Sequence, residues 1–237
     1  MPIADHRREV FARIREALKV PAPHRHVGHV GEHPAAPNHD EPVPDSDAFR
    51  AWLPFVGASL EEQIELFAQN SVALKTELHR VGSLDEAGER LNQLAREASW
   101  RQIATHRHPL ALPLAEKIAL PRLVVEAGYA VNEMESCDAA ITGCDFLIAQ
   151  TGSLLVSSPS AGGRALSVLP PHHVVVAQVS QMVPDLATAL QQARLRYAGQ
   201  WPSFLSFITG PSRTGDIERI LVLGAHGPKR LTIFLLP

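Results

Sequence analysis

Short, uninterrupted apolar runs alternate with amphipathic stretches from about residue 100 to the end of the chain. Runs of this kind predict strands that are buried on both faces, as in a parallel sheet. The predicted strands lie at 100–106, 122–126, 146–149, 153–157, 173–177, 204–208 and 231–236. The predicted helices lie at 114–119, 133–142, 184–197 and 216–223, with one helical turn at 164–168. This alternation indicates an α/β fold with a mostly parallel sheet flanked by helices.

Two further helices are predicted from their start signals. Ser59 and Glu62 have the spacing of a capping box, in which each side chain accepts a backbone N–H that the helix leaves unpaired. This helix is predicted to run to about Leu78. Ser83 and Glu86 repeat the pattern and predict a second helix that runs to about residue 98.

The first 46 residues differ in composition from the rest of the chain. Residues 7–20 place apolar side chains on one helical face, and prolines at 21 and 23 end that predicted helix. Residues 21–44 are rich in Pro, His and Gly, which predicts an extended linker. We therefore expect a helical arm with its linker at 1–46 and one α/β domain at 47–237. The arm is a candidate docking element for a partner protein.

Composition and charge exclude several classes of protein. The 237 residues are 45% hydrophobic with a net charge of −3, so a surface for binding nucleic acid is not expected. We find neither an apolar run of the ~20 residues that a membrane-spanning helix needs nor a signal-peptide pattern.

The cysteines and histidines predict no metal site. Cys137 and Cys144 are too far apart for a typical metal-ligand pair, and they favour reduced, buried thiols and hence a cytoplasmic location. Several histidines lie within the first 40 residues, but they alternate with Pro and Gly. No scaffold there is evident that would hold ligands in a defined geometry.

Residues 208–218 concentrate groups that bind anions, where a predicted strand is followed by a predicted helix. Glycines, hydroxyls, a guanidinium and the free N–H groups of a helix start suit a carboxylate or phosphate. The candidate ligand-binding residues here are Gly210, Ser212, Arg213, Thr214 and Asp216. The alternative is a tight turn, with Asp216 as the helix cap and Arg213 in an ion pair. Neither a dinucleotide fingerprint nor a Walker A lysine is present.

Three histidines are candidates for chemistry. His226 lies between glycines in a predicted loop, where it can serve as a general acid or base, donate to an anion, or close the turn. His172 and His173 adjoin a predicted buried strand, which favours a core position for one of them.

The segment 142–157 predicts two strands joined by a hairpin at 150–152. Thr151, Gly152 and Ser153 at this turn are candidate ligand contacts, although Thr-Gly-Ser is also an ordinary turn sequence. Arg164 follows two glycines and is a second candidate anion ligand. No nucleophile elbow and no compelling Ser/His/Asp order is present.

These segments, in their order and spacing, resemble the LUD-domain family. The resemblance is carried by residues 140–154, Arg164, 170–174, 210–218 and 224–228, and it extends over roughly residues 47–237. Members commonly have an acidic residue before Thr-Gly-Thr. Gln150 and Ser153 replace that acid and the second threonine here, so a step that used the acid would be missing from this chain.

The resemblance implies a fold like that of the NagB/RpiA/CoA-transferase group. It also implies a role, together with two iron–sulfur partner proteins, in oxidising L-lactate to pyruvate. Because a cluster normally takes four ligands, two cysteines cannot hold one, and we expect no cofactor in this chain. The alternative is a stand-alone small-molecule enzyme, since the same fold group includes CoA transferases, sugar-phosphate isomerases and relatives of folate cyclo-ligase.

Overall fold

The computed structural model describes residues 12–13, 54–125, 130–214, 222–223 and 226–237. Residues 12 and 13 are helical, and the rest of the predicted arm and linker lies outside the described residues. The predicted domain boundary between residues 46 and 47 lies outside them as well and stays a prediction. Within the described ranges no helix is long and apolar enough to cross a membrane.

From residue 54 onwards, the described part of the chain contains twelve strands and six α-helices. The strands are β1 (Glu77–Arg80), β2 (Ile103–His106), β3 (Arg122–Val125), β4 (Ala139–Thr142), β5 (Phe146–Ile148), β6 (Ser153–Ser157), β7 (His172–Gln178), β8 (Met182–Val183), β9 (Leu205–Ile208), β10 (Arg213–Thr214), β11 (Val222–Leu223) and β12 (Arg230–Leu236). The helices are α1 (Leu60–Leu74), α2 (Leu84–Glu97), α3 (Ala111–Glu116), α4 (Val131–Glu135), α5 (Ser158–Ala161) and α6 (Leu186–Arg196). A 3₁₀ turn, Val179–Gln181, separates β7 from β8.

Six strands form an entirely parallel central sheet in the order β1-β12-β7-β4-β2-β3. A second, mixed sheet has the order β8-β5-β6-β9, and β10 pairs with β11 in a two-stranded ribbon. Helices α2 and α3 pack on one face of the central sheet. Helix α1 and the second sheet cover much of the other face, and α6 packs on the outer side of the second sheet.

Strand β7 shows why the sheet needs cover on both faces. Val174 and Val176 belong to the cluster under α2 and α3, whereas Val175 and Ala177 belong to the cluster under α1 and the second sheet. All four side chains are fully buried. A continuous apolar run is therefore required, as the sequence pattern predicted. The predicted α/β class with a mostly parallel sheet is confirmed, and the finer likeness to the NagB/RpiA/CoA-transferase group stays a prediction.

Helix starts were predicted better than helix ends. Both halves of the capping box at Ser59 and Glu62 are present. At the second helix Ser83 accepts the N–H of Glu86, but the Glu86 carboxylate accepts from Gly82 instead of Ser83. The extension of the first helix to residue 78 is wrong. Lys75 adopts a left-handed conformation with φ of 62°, which ends α1 and allows β1 to begin two residues later.

Three other predicted helices need correction. The prediction at 133–142 is wrong beyond residue 135, because Ala139–Thr142 forms β4 inside the central sheet. Of the helix predicted at 216–223, the structure describes only Val222–Leu223, and these two residues form a strand. Residues 215–221 lie outside the described residues. The single turn predicted at 164–168 is a hydrogen-bonded turn and not a helix.

Pro184 was predicted to lie in the first helical turn of the helix at 184–197, which is also wrong. It precedes the N-cap of α6, Asp185, whose carboxylate accepts the N–H of Thr188. The carbonyl of Pro184 accepts the N–H of Gln150, so this residue joins the helix start to the β5–β6 hairpin.

Both histidines at the start of β7 are buried core residues. His173 Nε2 lies 2.8 Å from the Thr142 hydroxyl, and His172 Nε2 lies 2.8 Å from the Thr232 hydroxyl. The Thr232 hydroxyl donates in turn to Glu77. Burial, and to a smaller extent the charge of His172, lowers the pKa of His173 to about 3. Burial is also the main reason that the pKa of His172 falls to about 4.

We predict that His173 makes folding stability fall with acidification. Its pKa is lower in the folded chain than in the unfolded one, so the unfolded chain binds more protons below about pH 6.5. Its contribution is complete above that pH and is lost progressively as pH falls towards 3. The loss between neutral pH and about pH 4.5 should be about 2–3 kcal/mol.

Urea unfolding of wild type and His173→Gln over this pH range measures the effect. The variant removes the titrating group, so its free energy of unfolding should fall less steeply with pH. Parallel pH curves for the two proteins would contradict the prediction.

Candidate functional site

The connections that follow β2 and β4 diverge at the carboxyl edge of the central sheet. The chain leaves β2 towards α3 on one face of the sheet, and it leaves β4 towards the second sheet on the opposite face. Neighbouring parallel strands whose connections diverge in this way leave a gap between the two loops. Ligands of open α/β sheets bind preferentially at such a position.

A cleft of about 420 Å³ lies at this edge of the sheet. It is lined by His106, Arg107, Val125, Ser158, Gly162 and Gly163. The first two residues come from the end of β2, Val125 ends β3, and the other three come from α5 and the turn that follows it. Its size is within the range typical of small-molecule sites.

His106 is the buried titratable group of the cleft. The residue is only 4% exposed. Nε2 is buried without a hydrogen-bond partner among the described residues. Burial is the largest cause that lowers the pKa of His106 to about 4, and the nearby His108 lowers it further.

Two glycines let the histidine rings lie against the backbone. Gly162 has φ of 64°, and a Cβ atom there would lie 2.6 Å from Cγ of His106. A Cβ atom on Gly143 would overlap the ring of His108. The two rings are 5.4 Å apart between centroids. Both loops thus depend on glycine for close packing.

His108 also shapes the start of α3. Its Nδ1 accepts the backbone N–H groups of Leu110 and Ala111 at 3.2 and 3.3 Å. Because Nδ1 is an acceptor, the neutral ring carries its proton on Nε2. Burial lowers the pKa of His108, although the carboxylate of Asp145 opposes that shift.

Asp145 is a buried carboxylate behind the cleft, only 2% exposed. Tyr197 donates its hydroxyl to Oδ1 at 2.6 Å, and Arg196 donates to the same oxygen at 3.0 Å. Ser160 donates its hydroxyl to Oδ2 at 2.9 Å. A buried carboxylate is tolerated when it has such partners.

The same network positions α5 and the turn that packs against His106. Ser157 and Ser160 form a capping box at α5, and the Ser157 hydroxyl lies 2.9 Å from that of Tyr197. The Ser160 carbonyl accepts the N–H of Gly143, so α5 is joined to the end of β4. Burial, followed by the hydrogen bond to Asp145, raises the pKa of Tyr197, which therefore stays protonated and donates.

The cleft combines a neutral imidazole, a cationic Arg107, the Ser158 side chain and one apolar wall at Val125. This set can bind an anion and orient a hydroxyl or amine group. Among the described residues no group of three or more His, Cys, Asp or Glu is arranged to hold a metal ion. Cys137 and Cys144 are buried free thiols. Burial raises the pKa of Cys137 to about 11 and also raises that of Cys144.

Some of the predicted ligand residues come together away from the cleft, around the end of α1. The predicted hairpin at 150–152 is present, with φ of 65° at Gly152, whose Cα faces Asn70 and Leu74. The Ser153 hydroxyl lies 2.8 Å from that of Thr209. Gly210 lies against the Leu74 carbonyl and beside the guanidinium of Arg213.

The other predicted residues are divided between further places. Ser212 donates its N–H to the Pro228 carbonyl and lies against Gly227, which directly follows exposed His226 in the chain. Arg213 is exposed on β10. The side chain of Thr214 and all of Asp216 lie outside the described residues.

Arg164 does not lie with Arg213. It contacts the Ser203 carbonyl and the ring of Phe204, next to the beginning of β9. The 209–213 loop follows the other end of that strand. The two arginines therefore lie near opposite ends of β9.

Sequence reasoning missed His106, His108 and Asp145. One signal for Asp145 was available, because a charged residue between Cys144 and the apolar run 146–149 requires buried partners. The histidines gave no comparable signal. Only the sheet order brings the end of β2 against Gly143 and the turn at Gly162.

We predict that Tyr197→Phe destabilises the chain by about 1.5–3 kcal/mol, the scale of a hydrogen bond to a charged group. The variant removes one of the donors to buried Asp145 and keeps the ring. Guanidinium unfolding of both proteins tests this, with Ser180→Ala as the control for loss of a solvent-exposed hydroxyl. An unfolding free energy equal to that of wild type would show that Tyr197 does not support the carboxylate.

We predict that Gly162→Ala is more harmful than Gly163→Ala. Both glycines have positive φ, at 64° and 100°, but only the first would direct a new methyl group into His106. The strain of each backbone conformation costs about 1–2 kcal/mol, and the clash adds to it at Gly162 alone. Thermal unfolding and the His106 NMR resonances report the difference. Equal melting temperatures and an unmoved His106 signal would contradict the packing described above.

Comparison with known proteins agrees with this architecture. A crystal structure of a DUF162 family protein from Deinococcus radiodurans superimposes with a TM-score of 0.62 at 22% identity, and the match covers 76% of this chain and 100% of that one. The likeness concerns the fold alone.

Two relatives are each called lactate utilization protein C. The protein from Halalkalibacterium halodurans is 27% identical over 73% of this chain and 78% of its own length. The protein from Shouchella clausii is 28% identical over 72% of this chain and 77% of its own length. The sequence profile of the LUD domain matches residues 64–236, which include the central sheet, the second sheet and the cleft. The chain therefore belongs to the LUD domain family.

Proposed function

We propose that this chain is a subunit that takes part in the oxidation of L-lactate to pyruvate, together with iron–sulfur partner proteins. The observation that carries the proposal is the match to two proteins called lactate utilization protein C over almost three quarters of the chain. A cytoplasmic location is part of the same proposal.

The two cysteines of this chain support the proposal that the electron carriers are bound by the partner proteins. Oxidation of lactate to pyruvate releases two electrons, which an acceptor has to take up. An iron–sulfur cluster normally needs four thiolate ligands. Cys137 and Cys144, the two cysteines of the sequence, are buried and their pKa values are raised, which disfavours the thiolate form.

The cleft is the place where we propose that the small carboxylate binds. Arg107 supplies a positive charge at its wall. The 209–216 loop is a separate proposed anion site. It is supported by the guanidinium of Arg213 beside Gly210.

A stand-alone small-molecule enzyme is the second candidate. The observation that favours it is a cleft with a buried histidine at the carboxyl edge of a parallel sheet, where active sites of α/β enzymes are usually found. This candidate requires turnover by the purified chain without partners.

The deciding experiment is an oxygen-free pull-down of the tagged chain from its own cells. Iron content and lactate-dependent dye reduction are measured on the eluate. We expect iron-containing partners and reduction that depends on L-lactate. An iron-free chain without partners and without lactate-dependent reduction would overturn the proposal and favour the stand-alone enzyme.

Arginine variants in the same assay locate the anion site. Loss of a charged hydrogen bond should raise the KM for lactate about 10- to 100-fold. We predict this effect for Arg107→Ala, whereas exposed Arg194→Ala in α6 should leave KM unchanged. An effect of Arg213→Ala with none for Arg107→Ala would move the site to the 209–216 loop.

A further inference from the structure

We propose that the outer edge of β9 is the interface at which two copies of this chain form a dimer. In the dimer β9 runs antiparallel to β9 of the second copy, with the two Ser206 residues opposite each other on a two-fold axis. The two four-stranded sheets then join into one sheet of eight strands. The inference does not depend on the proposed function.

Strand β9 is an accessible edge of the second sheet. Among the described residues it pairs with β6 alone. Each of its four residues keeps part of its surface accessible, and Phe207 is 39% exposed. Every residue of β5 and β6 is buried, and so are both residues of β8 at the opposite edge. The sheet can therefore be extended at β9.

This edge lacks the features that usually prevent strand pairing. Edge strands of soluble proteins commonly carry charged side chains or proline, which disfavour the addition of another strand. The central sheet follows this rule, because β1 contains Glu77 and Arg80 and β3 begins with Arg122. Strand β9 has the sequence Leu-Ser-Phe-Ile, with neither a charge nor a proline. Its free backbone groups are thus a template for a further strand.

The register with β6 shows which backbone groups of β9 are directed outwards. Ser158 donates its N–H to the carbonyl of Phe204, which is the residue opposite it when the β6–β9 register is continued by one pair. Backbone groups of successive residues in an antiparallel strand point to alternate sides. The even-numbered residues of β9 therefore bond to β6. The N–H and C=O groups of Leu205 and Phe207 point to the open edge.

A second β9 strand matches all of these outward groups. When the two Ser206 residues are opposite each other, Leu205 of one copy faces Phe207 of the other. Each strand offers two N–H groups and two C=O groups at this edge, so the pair forms four hydrogen bonds. A two-fold axis brings the same surface of both copies together, and this surface is its own complement.

The side chains match in the same register. Leu205 packs towards α6, and Phe207, two residues along the strand, lies on the same face. Helix α6 covers β5, β6 and β8 and leaves the Phe207 ring exposed. In the dimer each ring packs on Leu205 of the second copy, and aromatic–aliphatic pairs across strands are stabilising. No like charges are placed opposite each other.

Other two-fold registers fit less well. A shift of the axis by one residue keeps outward groups opposite each other, but it places Leu205 against Thr209 or Phe207 against Ser203. Both of these pairs combine an apolar side chain with a hydroxyl. The register centred on Ser206 is the one in which the two outward residues form only apolar pairs.

The test is sedimentation equilibrium of the purified full chain over a range of concentrations. Wild type should show a monomer–dimer equilibrium with a dimer of twice 25.8 kDa. Phe207→Pro removes an N–H that points away from β6, so the bonds within the chain's own sheet remain. Phe207→Val removes the ring and keeps that N–H. The dissociation constant of the dimer should be at least about tenfold higher for the proline variant than for the valine variant.

Two controls accompany these variants. Val72 is 77% exposed on α1, and Val72→Ala should leave the dissociation constant unchanged, because its side chain has no place in the interface. Circular dichroism and thermal unfolding establish that the proline variant is folded.

Hydrogen exchange of the wild-type chain tests the interface without any variant. In dilute samples the amides of Leu205 and Phe207 should exchange rapidly, whereas those of Ser206 and Ile208 are protected by β6. At concentrations at which the dimer forms, all four amides should be protected. This alternating pattern is specific to strand pairing at the edge of β9.

Three outcomes would overturn the inference. The first is a monomer at every concentration, including one that binds an extended segment of a different protein at this edge. The second is a dimer that is as tight in Phe207→Pro as in Phe207→Val. The third is slow exchange of Leu205 and Phe207 in the monomer, which would mean that another part of the same chain covers the edge.

Discussion

The buried carboxylate of Asp145 joins parts of the molecule that form the cleft. Its partners come from α6, from the residue that follows α6, and from α5. Removing a carboxylate from water is energetically costly. The folded structure therefore has to place all of its hydrogen-bond donors around it at the same time. Because Ser160 is one of them, the carboxylate also fixes the backbone to which Gly143 is bonded. The geometry of the cleft thus depends on a charged residue, Asp145, that is not among the residues lining the cleft.

The central sheet imposes a second constraint, which is burial on both faces. Strand β7 has apolar side chains on both of its faces. Its two histidines form hydrogen bonds with threonine hydroxyls of the neighbouring strands. Those histidines remain neutral because burial lowers their pKa values. His106 is neutral for the same reason, but its Nε2 has no hydrogen-bond partner among the described residues, and the residue lines a cleft. The same physical effect therefore gives core residues in one place and a candidate ligand contact in another.

Most strands could be predicted from the sequence because continuous apolar runs require burial. The β5–β6 hairpin was also predictable, since Thr151-Gly152 supplies the conformation that the turn needs. Helix starts were predictable where serine and glutamate had capping spacing, as at Ser59. Two of the failures have a common cause. Residues 139–142 and β1 are short segments whose strand conformation depends on pairing with distant strands, and local preference says little about such pairing.

What the sequence by itself determined is the α/β class, the positions of the buried strands and the glycine-containing turns, because these follow from local hydrophobicity and backbone freedom. It also indicated the hairpin 150–152 and the loop after β9 as candidate sites, and the structure places both beside the end of α1. Only the tertiary structure decided which side chains meet at the carboxyl edge of the sheet. His106, Gly143 and Gly162 are far apart in the chain, and the strand order β4-β2-β3 with its diverging connections is what brings them together.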